Sequence, residues 1–518
     1  MKKNLLLIIW LILMVIPVAG IFAGEGKGKV KIGYTLMDEE GSRAVQHATF
    51  NQYEGFGLAL ENFNYRFDNG IRLSADLKNS TLNNRNLSLA VEKSGLFGLR
   101  VNNHQYRRIY DFNGRTSTRR HQTGASLWLV PHKYITLFGG GKYTGKSGRM
   151  SDLFDLSQPA IPVRLDYTQK DYNTGVRINY RGRMLQAEYR GAAFNDEGKS
   201  WRDQVRNKYR VVAVAAVPRF ERLILSGGFQ HFETRFDQTD FRISANTVWG
   251  GATVKLPMDY SVRYGFYFDR TSSDSDLVAT DNLSQAVYVT RIWPNRAGVT
   301  LGYQHDINDD FEDAFKAHAG FLSGWLKSGG NWEFRGEYGF RQEDVDDGGR
   351  LLGNEDRDRI KFSAGYRDHD YGLAVVKFES KNRRNDQLGS KADFDRIAFD
   401  GTIKVKEYGR LTGGYALAEG TFNNDEQAFE FRDHLLHADL DTREFYHFTT
   451  SFGAVYYRSK GDLDMESFSV RFNLACNFID DYLLEIVYNV HNFDNFLVWD
   501  EYYTANIVEI NMIKSISF

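Results

Sequence analysis

Apolar and polar residues alternate along most of this chain, and this alternation restricts its fold more than any other feature. Residues 360–367 place four apolar side chains on one face and three polar side chains and a glycine on the other, and residues 209–217, 262–269 and 332–341 alternate similarly. A period of two indicates β-strands. Many alternating segments run for about 10–14 residues, whereas soluble strands average about 5–6 and a tilted membrane strand needs roughly 9–11. The sequence therefore predicts a transmembrane β-barrel.

Short turns divide the chain into strands. With one strand before the first turn (Val30–Leu36) and one after the last (Glu501–Phe518), the fold class is all-β: a single large antiparallel up-and-down barrel of about 26 strands. The count falls to 24 if residues 425–445, with a poorly alternating segment at Phe429–Asp439, form a loop. Longer polar loops are expected on the extracellular side, over 145–168, 270–282, 343–357 and 382–393. The short, periplasmic turns are expected near residues 69, 94, 132, 182, 220, 258, 295, 329, 369, 408, 442 and 479.

Aromatic residues gather near the short turns, where an interfacial girdle of an outer-membrane barrel would lie. The chain ends on Phe518 after an apolar alternating segment that Lys514 interrupts, which resembles the terminal strand recognised by outer-membrane assembly machinery. Ordinary aromatic strand composition is the alternative interpretation. The girdle candidates are Trp128, Tyr134, Tyr180, Phe220, Tyr260, Trp293, Trp325, Trp332, Tyr371 and Tyr408.

The N-terminus has the pattern of a secretory signal peptide. Lys2 and Lys3 precede the apolar segment Leu5–Val18, and Ala23 offers a small residue for cleavage. We expect residues 1–23 to be the signal peptide and residues 24–518 to be the barrel, in the outer membrane of a Gram-negative bacterium. A mean hydropathy of −0.47 argues against a polytopic helical membrane protein. A net charge of −2 gives no case for nucleic acid as a partner.

The size of the predicted barrel limits its function. Twenty-six strands spaced by ~4.8 Å and tilted by ~40° form a barrel roughly 50 Å across between backbones, whose bore side chains cannot fill. Only about six residues separate Gly24 from the first predicted strand, and no loop exceeds about 25 residues. We therefore expect neither a plug domain nor a loop plug, so the barrel is either an open channel or a sheath for another protein.

The sequence shows no catalytic constellation, so we expect no enzyme and no catalytic, cofactor-binding or metal site. His434 and His437 are close in sequence, but at that spacing they would need a helix to share a metal. The acidic runs Glu343–Gly349 and Asp309–Asp313 lack a complete Ca²⁺ ligand pattern. Gly139–Ser147 superficially matches a phosphate-binding loop, although no helix is expected after it.

The single cysteine excludes two further kinds of site. Cys476 has no partner for an intramolecular disulfide, and a C-x-x-C-H haem-attachment motif within this chain is impossible. The residues expected to face the lumen are mixed in sign, as on the strand that carries Glu333, Arg335 and Arg341. A porin with strong ion selectivity often concentrates one sign in a constriction, so mixed charges favour a polar wall that contacts protein or water.

The first residues after the predicted signal peptide include a recognisable pattern. It consists of Gly33 and Tyr34, the acidic segment Asp38–Ser42, and Tyr53 before a long strand. In these residues the chain resembles the MtrB/PioB-type outer-membrane barrels. The resemblance implies a barrel of about 26 strands that sheaths a periplasmic multihaem c-type cytochrome, with an extracellular cytochrome docked outside. The haem would belong to the partner, and this chain would carry no cofactor. Some members have an N-terminal C-x-x-C, which is absent here, so no role attached to it carries over.

Two functional hypotheses from different classes follow. The first is the sheath of a porin–cytochrome electron conduit across the outer membrane. The second is a passive or substrate-selective diffusion porin, which would have a loop folded inward, a charged constriction and no need of a partner. An outer-membrane enzyme or adhesin is a third and weaker possibility.

Overall fold

A computed structural model of the chain shows a closed barrel of 26 β-strands. It describes residues 24–110, 116–152, 161–218, 220–274, 279–310, 314–345, 355–386, 389–405, 407–424, 427–479, 481–497 and 501–517. The predicted signal peptide, residues 1–23, lies outside the described residues. No helix in the described part of the chain is both long and apolar enough to cross a membrane.

The strands follow one another around the barrel in chain order. In the described connections there are three single-turn 3₁₀ helices, at Arg43–Val45, His47–Thr49 and Ser200–Arg202. The strands are β1 (Gly24–Gly41), β2 (Gly55–Phe67), β3 (Ile71–Lys78), β4 (Asn86–Lys93), β5 (Phe97–Ile109), β6 (Ser117–His132), β7 (Ile135–Asp152), β8 (Ile161–Tyr180), β9 (Arg183–Asp196), β10 (Gln204–Val217), β11 (Phe220–Phe236), β12 (Arg242–Lys255), β13 (Tyr260–Ser273), β14 (Ala279–Trp293), β15 (Ala297–Asp310), β16 (Phe315–Ser328), β17 (Trp332–Val345), β18 (Glu355–Asp368), β19 (Gly372–Asn385), β20 (Ser390–Val405), β21 (Gly409–Asn423), β22 (Ala428–Thr442), β23 (Phe448–Gly461), β24 (Met465–Ile479), β25 (Tyr482–Asn495) and β26 (Tyr502–Ser517).

Every strand pairs antiparallel with its sequence neighbours, and the last strand closes the barrel on the first. The β1–β26 seam pairs residues from Lys27 opposite Ser517 to Gly41 opposite Tyr503. The uncertain segment 425–445 contributes β22, which pairs over its length with β21. The fold class is therefore confirmed, with 26 strands rather than 24.

The twelve short turns lie where the sequence predicts them, and local backbone geometry explains their tightness. Between β8 and β9 only Arg181 and Gly182 are unpaired, and both have positive φ angles, 47° and 74°. Two consecutive residues with positive φ are typical of the type I′ hairpin turn, which matches the twist of antiparallel strands. Glycine tolerates this conformation without strain.

The connections at the opposite end are shorter than predicted, and this part of the sequence prediction is wrong. β19 continues to Asn385 and β20 begins at Ser390, so most of the predicted loop 382–393 is strand. The predicted loops 145–168 and 270–282 are also largely strand. The described residues of the predicted loop 343–357, namely 343–345 and 355–357, are strand as well, and the rest of that loop lies outside the described residues. Their Asp, Asn, Arg and Gly residues suggested loops, but backbone pairing continues where both faces of the sheet carry polar side chains.

The strands therefore extend beyond the hydrocarbon layer at this end. On β17 the outward face is apolar from Trp332 to Phe340, and Gln342 and Asp344 follow on the same face. The eight residue-to-residue steps between Trp332 and Phe340, at ~3.3 Å each and tilted by ~40°, give an apolar band about 20 Å tall. The paired strand beyond this band forms a collar outside the membrane. We use the term collar for these polar extensions of the strands.

Candidate functional site: the inner wall

The inner wall of the barrel is the surface that any solute or partner in the bore would meet. Large apolar side chains such as Ile360 and Phe362 on β18 are exposed on the lipid-facing side, so Lys361 and Ser363 between them face the lumen. The same alternation runs around the barrel and makes the inner wall polar. The barrel is roughly 50 Å across between backbones for 26 strands.

Several aromatic side chains near the short turns lie on the inner wall rather than in the lipid-facing girdle. Trp128 is opposite Gly98, and Trp325 is opposite Gly298. In each pair a methyl group on the glycine would overlap the indole ring, so the ring lies flat over the neighbouring strand. Trp128 and Trp325 are thus wrongly placed by the girdle prediction, because their position in the alternation turns them inward. The flat rings leave the bore unobstructed.

Other aromatic residues are exposed at two levels. Near the short turns, Tyr180, Trp293 and Trp332 lie on the lipid-facing side of their strands, and Phe220, Tyr371 and Tyr408 are exposed in or beside the turns. At a higher level Tyr172, Tyr189 and Tyr209 form a row on adjacent strands, with ring centroids 5.8 and 5.0 Å apart. Two aromatic rows on either side of an apolar band are the pattern expected of an outer-membrane barrel.

On β17–β20 the inner wall carries a network of ion pairs. Glu379 accepts from Arg359 at 3.1 Å and lies 3.5 Å from the Lys361 ammonium and 3.3 Å from the Lys381 ammonium. Glu355 pairs with Arg357 and Arg383, and Lys377 pairs with Asp400 at 2.8 Å. We call the concavity of about 820 Å³ lined by Lys327, Glu333, Arg335, Glu337, Lys361, Lys377 and Glu379 the paired patch.

On β6–β10 the inner wall has a second concavity, of about 520 Å³, with a different charge pattern. Cations outnumber carboxylates there, and amide side chains and glycines line the rest. We call its four cations, Lys142, Arg190, Arg206 and Lys208, the cationic patch. The sequence suggested charges of both signs around the lumen. The arrangement of the strands shows where positive charge is in excess.

The seam between β26 and β1 is closed by a polar cluster on the inner wall. The Lys31 ammonium lies 3.0 Å from a carboxylate oxygen of Glu485, and the two side chains are 23% and 17% exposed. Asn473 and Asn511 donate to the same carboxylate at 3.2 and 3.1 Å. Because Lys31 is on β1 and Glu485 on β25, with Asn511 on β26 between them, this cluster joins the chain ends.

The connection 42–54 turns back over the inner face of the wall at the outer rim. Tyr503, Ala505 and Ile507, which face inward on β26, are fully buried and pack against Val45. At the other side of this connection, Arg107 on β5 donates to three of its residues. The acceptors are the Asn51 side chain (2.7 Å, from the backbone N–H) and the carbonyls of Phe50 (2.8 Å) and Gln52 (3.0 Å).

This rim segment fills a notch that the short strands β3 and β4 leave in the wall. Asn84 in the β3–β4 connection donates to the Asn51 carbonyl at 2.7 Å, and Arg85 donates to Asn103 on β5 at 3.0 Å. Burial lowers the pKa of the Arg85 guanidinium from its usual value. The 42–54 segment is thus held in place at the rim. The loop lengths in the sequence did not predict a connection that folds inward.

The remaining candidates from the sequence do not form sites in the described residues. His434 and His437 lie on opposite faces of β22, because His434 bonds the outward-facing Tyr415 hydroxyl at 2.7 Å while His437 faces inward near Asp400. Gly139–Ser147 lies within β7, so it is not a phosphate-binding loop. Most of Glu343–Gly349 and of Asp309–Asp313 lies outside the described residues. Among the residues that are described, no three or more His, Cys, Asp or Glu side chains group as metal ligands.

Comparison with known proteins identifies the fold. No protein-family model matches the sequence, and no curated protein matches it. Among solved structures, the siderophore receptor PirA from Pseudomonas aeruginosa has a TM-score of 0.53 at 11% identity, over 82% of this chain and 81% of that one. The ferric enterobactin receptor PfeA from Pseudomonas aeruginosa (TM-score 0.50, 8% identity, 96% and 81% covered) and the ferric-catecholate import receptor Fiu from E. coli (0.50, 8%, 94% and 81%) are similar. The chain therefore has the fold of an outer-membrane β-barrel.

Proposed function

We propose that this barrel sheaths a multihaem c-type cytochrome and positions it for electron transfer across the outer membrane. The observation that carries the proposal is the size of the bore relative to its contents. Twenty-six strands form a barrel roughly 50 Å across between backbones, and the inward-folded segment 42–54 packs against the wall at the rim. A bore of this width accepts a folded protein.

The chemistry of the inner wall supports a protein occupant. Its ion pairs, amides and flat aromatic rings resemble the polar surface of a transient protein interface more than the apolar core of an obligate one. The barrel would align the haems of the occupant end to end, exclude lipid from them and seal the gap against small solutes. An extracellular cytochrome would complete the path on the outer side.

The redox chemistry in this proposal belongs to the partner. Cys476, the single cysteine of the chain, is on the outward side of β24, and covalent attachment of c-type haem needs two cysteines in C-x-x-C-H. The wall therefore contributes position and shape, while the cofactor supplies the electron transfer. We propose no enzymatic role for this chain.

Purification of the tagged barrel from outer membranes in mild detergent tests the proposal. A gel stained for covalent haem should show a stoichiometric band that is not the barrel, with cytochrome absorption that reduces and reoxidises. Any such band must be a partner, because this chain has one cysteine. A colourless barrel that migrates anomalously until heated and conducts ions alone in planar bilayers would refute the sheath.

A diffusion porin is the second candidate, and one observation favours it. Porins narrow their bores with a connection folded inward, and segment 42–54 lies against the inward-facing Tyr503 and Ile507. The conductance measurement above decides between the two functions. The likeness to siderophore receptors is at 8–11% identity, which concerns the fold, so we propose no siderophore uptake.

A further inference from the structure

The cationic patch has more positive charge than its surroundings neutralise. Lys142 lies 3.2 Å from Asp171, and Arg190 donates to Glu188 at 2.6 Å. Within the described part of the chain, Arg206 is held only by the amide oxygen of Gln204, at 3.0 Å. In the described structure no carboxylate lies within ion-pair distance of Lys208. Two carboxylates thus face four cations, and the Glu188 side chain is only 3% exposed behind Arg190.

The register places like charges directly against each other. Arg190 on β9 and Lys208 on β10 are direct cross-strand partners, so their Cβ atoms are about 4.5–5.5 Å apart. Like charges in this position destabilise a sheet. A local arrangement that weakens the fold is expected mainly where it serves a binding site.

The paired patch shows that the excess is local. There, Lys361 and Lys377 each lie within 3.5 Å of a carboxylate, those of Glu379 and Asp400. Arg335 pairs with Glu333 in the same concavity. Both patches lie on the inner wall of one bore. Among the described residues, the paired patch has one lining cation without a carboxylate within ion-pair distance, Lys327, which lies over the Trp325 ring. The cationic patch has two, Arg206 and Lys208.

The neutral lining of the cationic patch also suits an anion. Asn102, Gln122 and Asn173 supply amide groups, and the amide oxygens of Asn102 and Asn173 lie over Gly124 and Gly140. Guanidinium, ammonium and amide N–H groups are the donors that carboxylates accept most strongly. We infer that the cationic patch binds carboxylate side chains on the protein that occupies the bore. This inference rests on the proposed sheath function, and it specifies an acidic surface on the partner protein as the one that the barrel would bind.

The test compares two charge reversals of equal size. One barrel carries Arg206→Glu and Lys208→Glu in the cationic patch, and the matched control carries Lys361→Glu and Lys377→Glu in the paired patch. The new carboxylate at 208 faces Arg190, so the first variant should fold, and heat-modifiable migration on a gel verifies this for both. The readout is covalent haem per barrel after purification at about 0.15 M salt.

The inference predicts that the cationic-patch variant retains about tenfold less partner haem than the wild type, equivalent to about 1.4 kcal/mol, while the control changes less than twofold. Equal losses in both variants would overturn it, because the partner would then respond to the total charge of the inner wall rather than to the cationic patch. Unchanged haem in both would also overturn it. A wild-type barrel without haem would instead refute the proposed function.

A second measurement separates partner carboxylates from small anions. The reversal potential of the partner-free barrel in a KCl gradient reports ion selectivity. If the cationic-patch variant keeps its haem partner but loses anion selectivity, the patch serves diffusing anions and the inference is wrong. Loss of the partner with little change in selectivity supports it.

Discussion

Replacing Lys31 by Met tests whether the polar cluster at the seam stabilises barrel closure. Met keeps most of the length of the side chain and removes the ammonium, which lies 3.0 Å from Glu485. The carboxylate would keep its two amide donors, Asn473 and Asn511. The loss is therefore one charged contact rather than the whole cluster.

The expected magnitude lies between two limits. Exposed ion pairs contribute about 0.2–1 kcal/mol, whereas removing one partner of a fully buried pair costs about 3–5 kcal/mol. The side chains of Lys31 and Glu485 are 23% and 17% exposed, and the carboxylate retains other donors. We expect the free energy of unfolding to fall by about 2 kcal/mol for Lys31→Met.

Urea unfolding of the barrel in lipid vesicles, followed by tryptophan fluorescence and by migration on unheated gels, measures this change. A double-mutant cycle with Glu485→Gln isolates the pair, and we expect a coupling energy of about 1 kcal/mol. The exposed pair Arg72–Glu92, 3.5 Å apart with side chains 56% and 44% exposed, is the matched control. Strict additivity of Lys31→Met and Glu485→Gln, or an equal coupling in the control pair, would refute the reasoning.

Three further predictions concern the wall, the rim and the lipid-facing side. Gly228→Ala should destabilise the barrel by about 1–3 kcal/mol, because the new methyl would overlap Trp249 and lie 2.6 Å from a backbone carbonyl. The control Gly336→Ala, whose methyl meets nothing within 4 Å, should be neutral in the same urea titration. Equal effects of the two substitutions would contradict the packing argument. Arg107→Ala should raise hydrogen exchange across residues 42–54, because it removes the two side-chain hydrogen bonds to this segment and weakens the anchoring of the backbone one. Arg107→Lys should restore little of the protection. Unchanged exchange in Arg107→Ala would contradict the anchoring role. Cys476 should resist a charged thiol reagent in vesicles and react after unfolding, because its side chain is on the lipid-facing side of β24; rapid labelling of the folded barrel would contradict that orientation.

The sequence predicts the strand number and the short turns because both depend on local signals. Alternation identifies each strand, and two-residue turns such as Arg181–Gly182 combine polarity with a glycine. Even the poorly alternating Phe429–Asp439 is strand, since β21 and β23 pair with it on both sides. Pairing between strands overrides a weak local pattern.

The outer connections and the inner wall are less predictable for a physical reason. A strand that leaves the membrane no longer needs an apolar face. Residues 391–393 are therefore predicted to be loop, although they pair with β19 and β21. The excess charge at Arg190 and Lys208 depends on the register between two strands. A single sequence does not state the register, and the inward-folded segment 42–54 depends on contacts with Arg107, far along the chain. The inward position of Trp325, in contrast, follows from its place in the alternation of β16.

The collar also affects how the barrel enters the membrane. Its outward face carries ion pairs, including Arg270 with Asp281 (2.5 Å) and Glu419 with Arg432 (2.6 Å). In outer-membrane barrels the short turns remain periplasmic, so these charged positions must cross the hydrocarbon during insertion. Each Arg or Lys on the lipid face costs about 2–4 kcal/mol at the bilayer midplane. The collar thus raises the free-energy barrier to insertion. Once the collar has crossed, the same barrier opposes its withdrawal, so the charged collar fixes the depth of the barrel in the membrane.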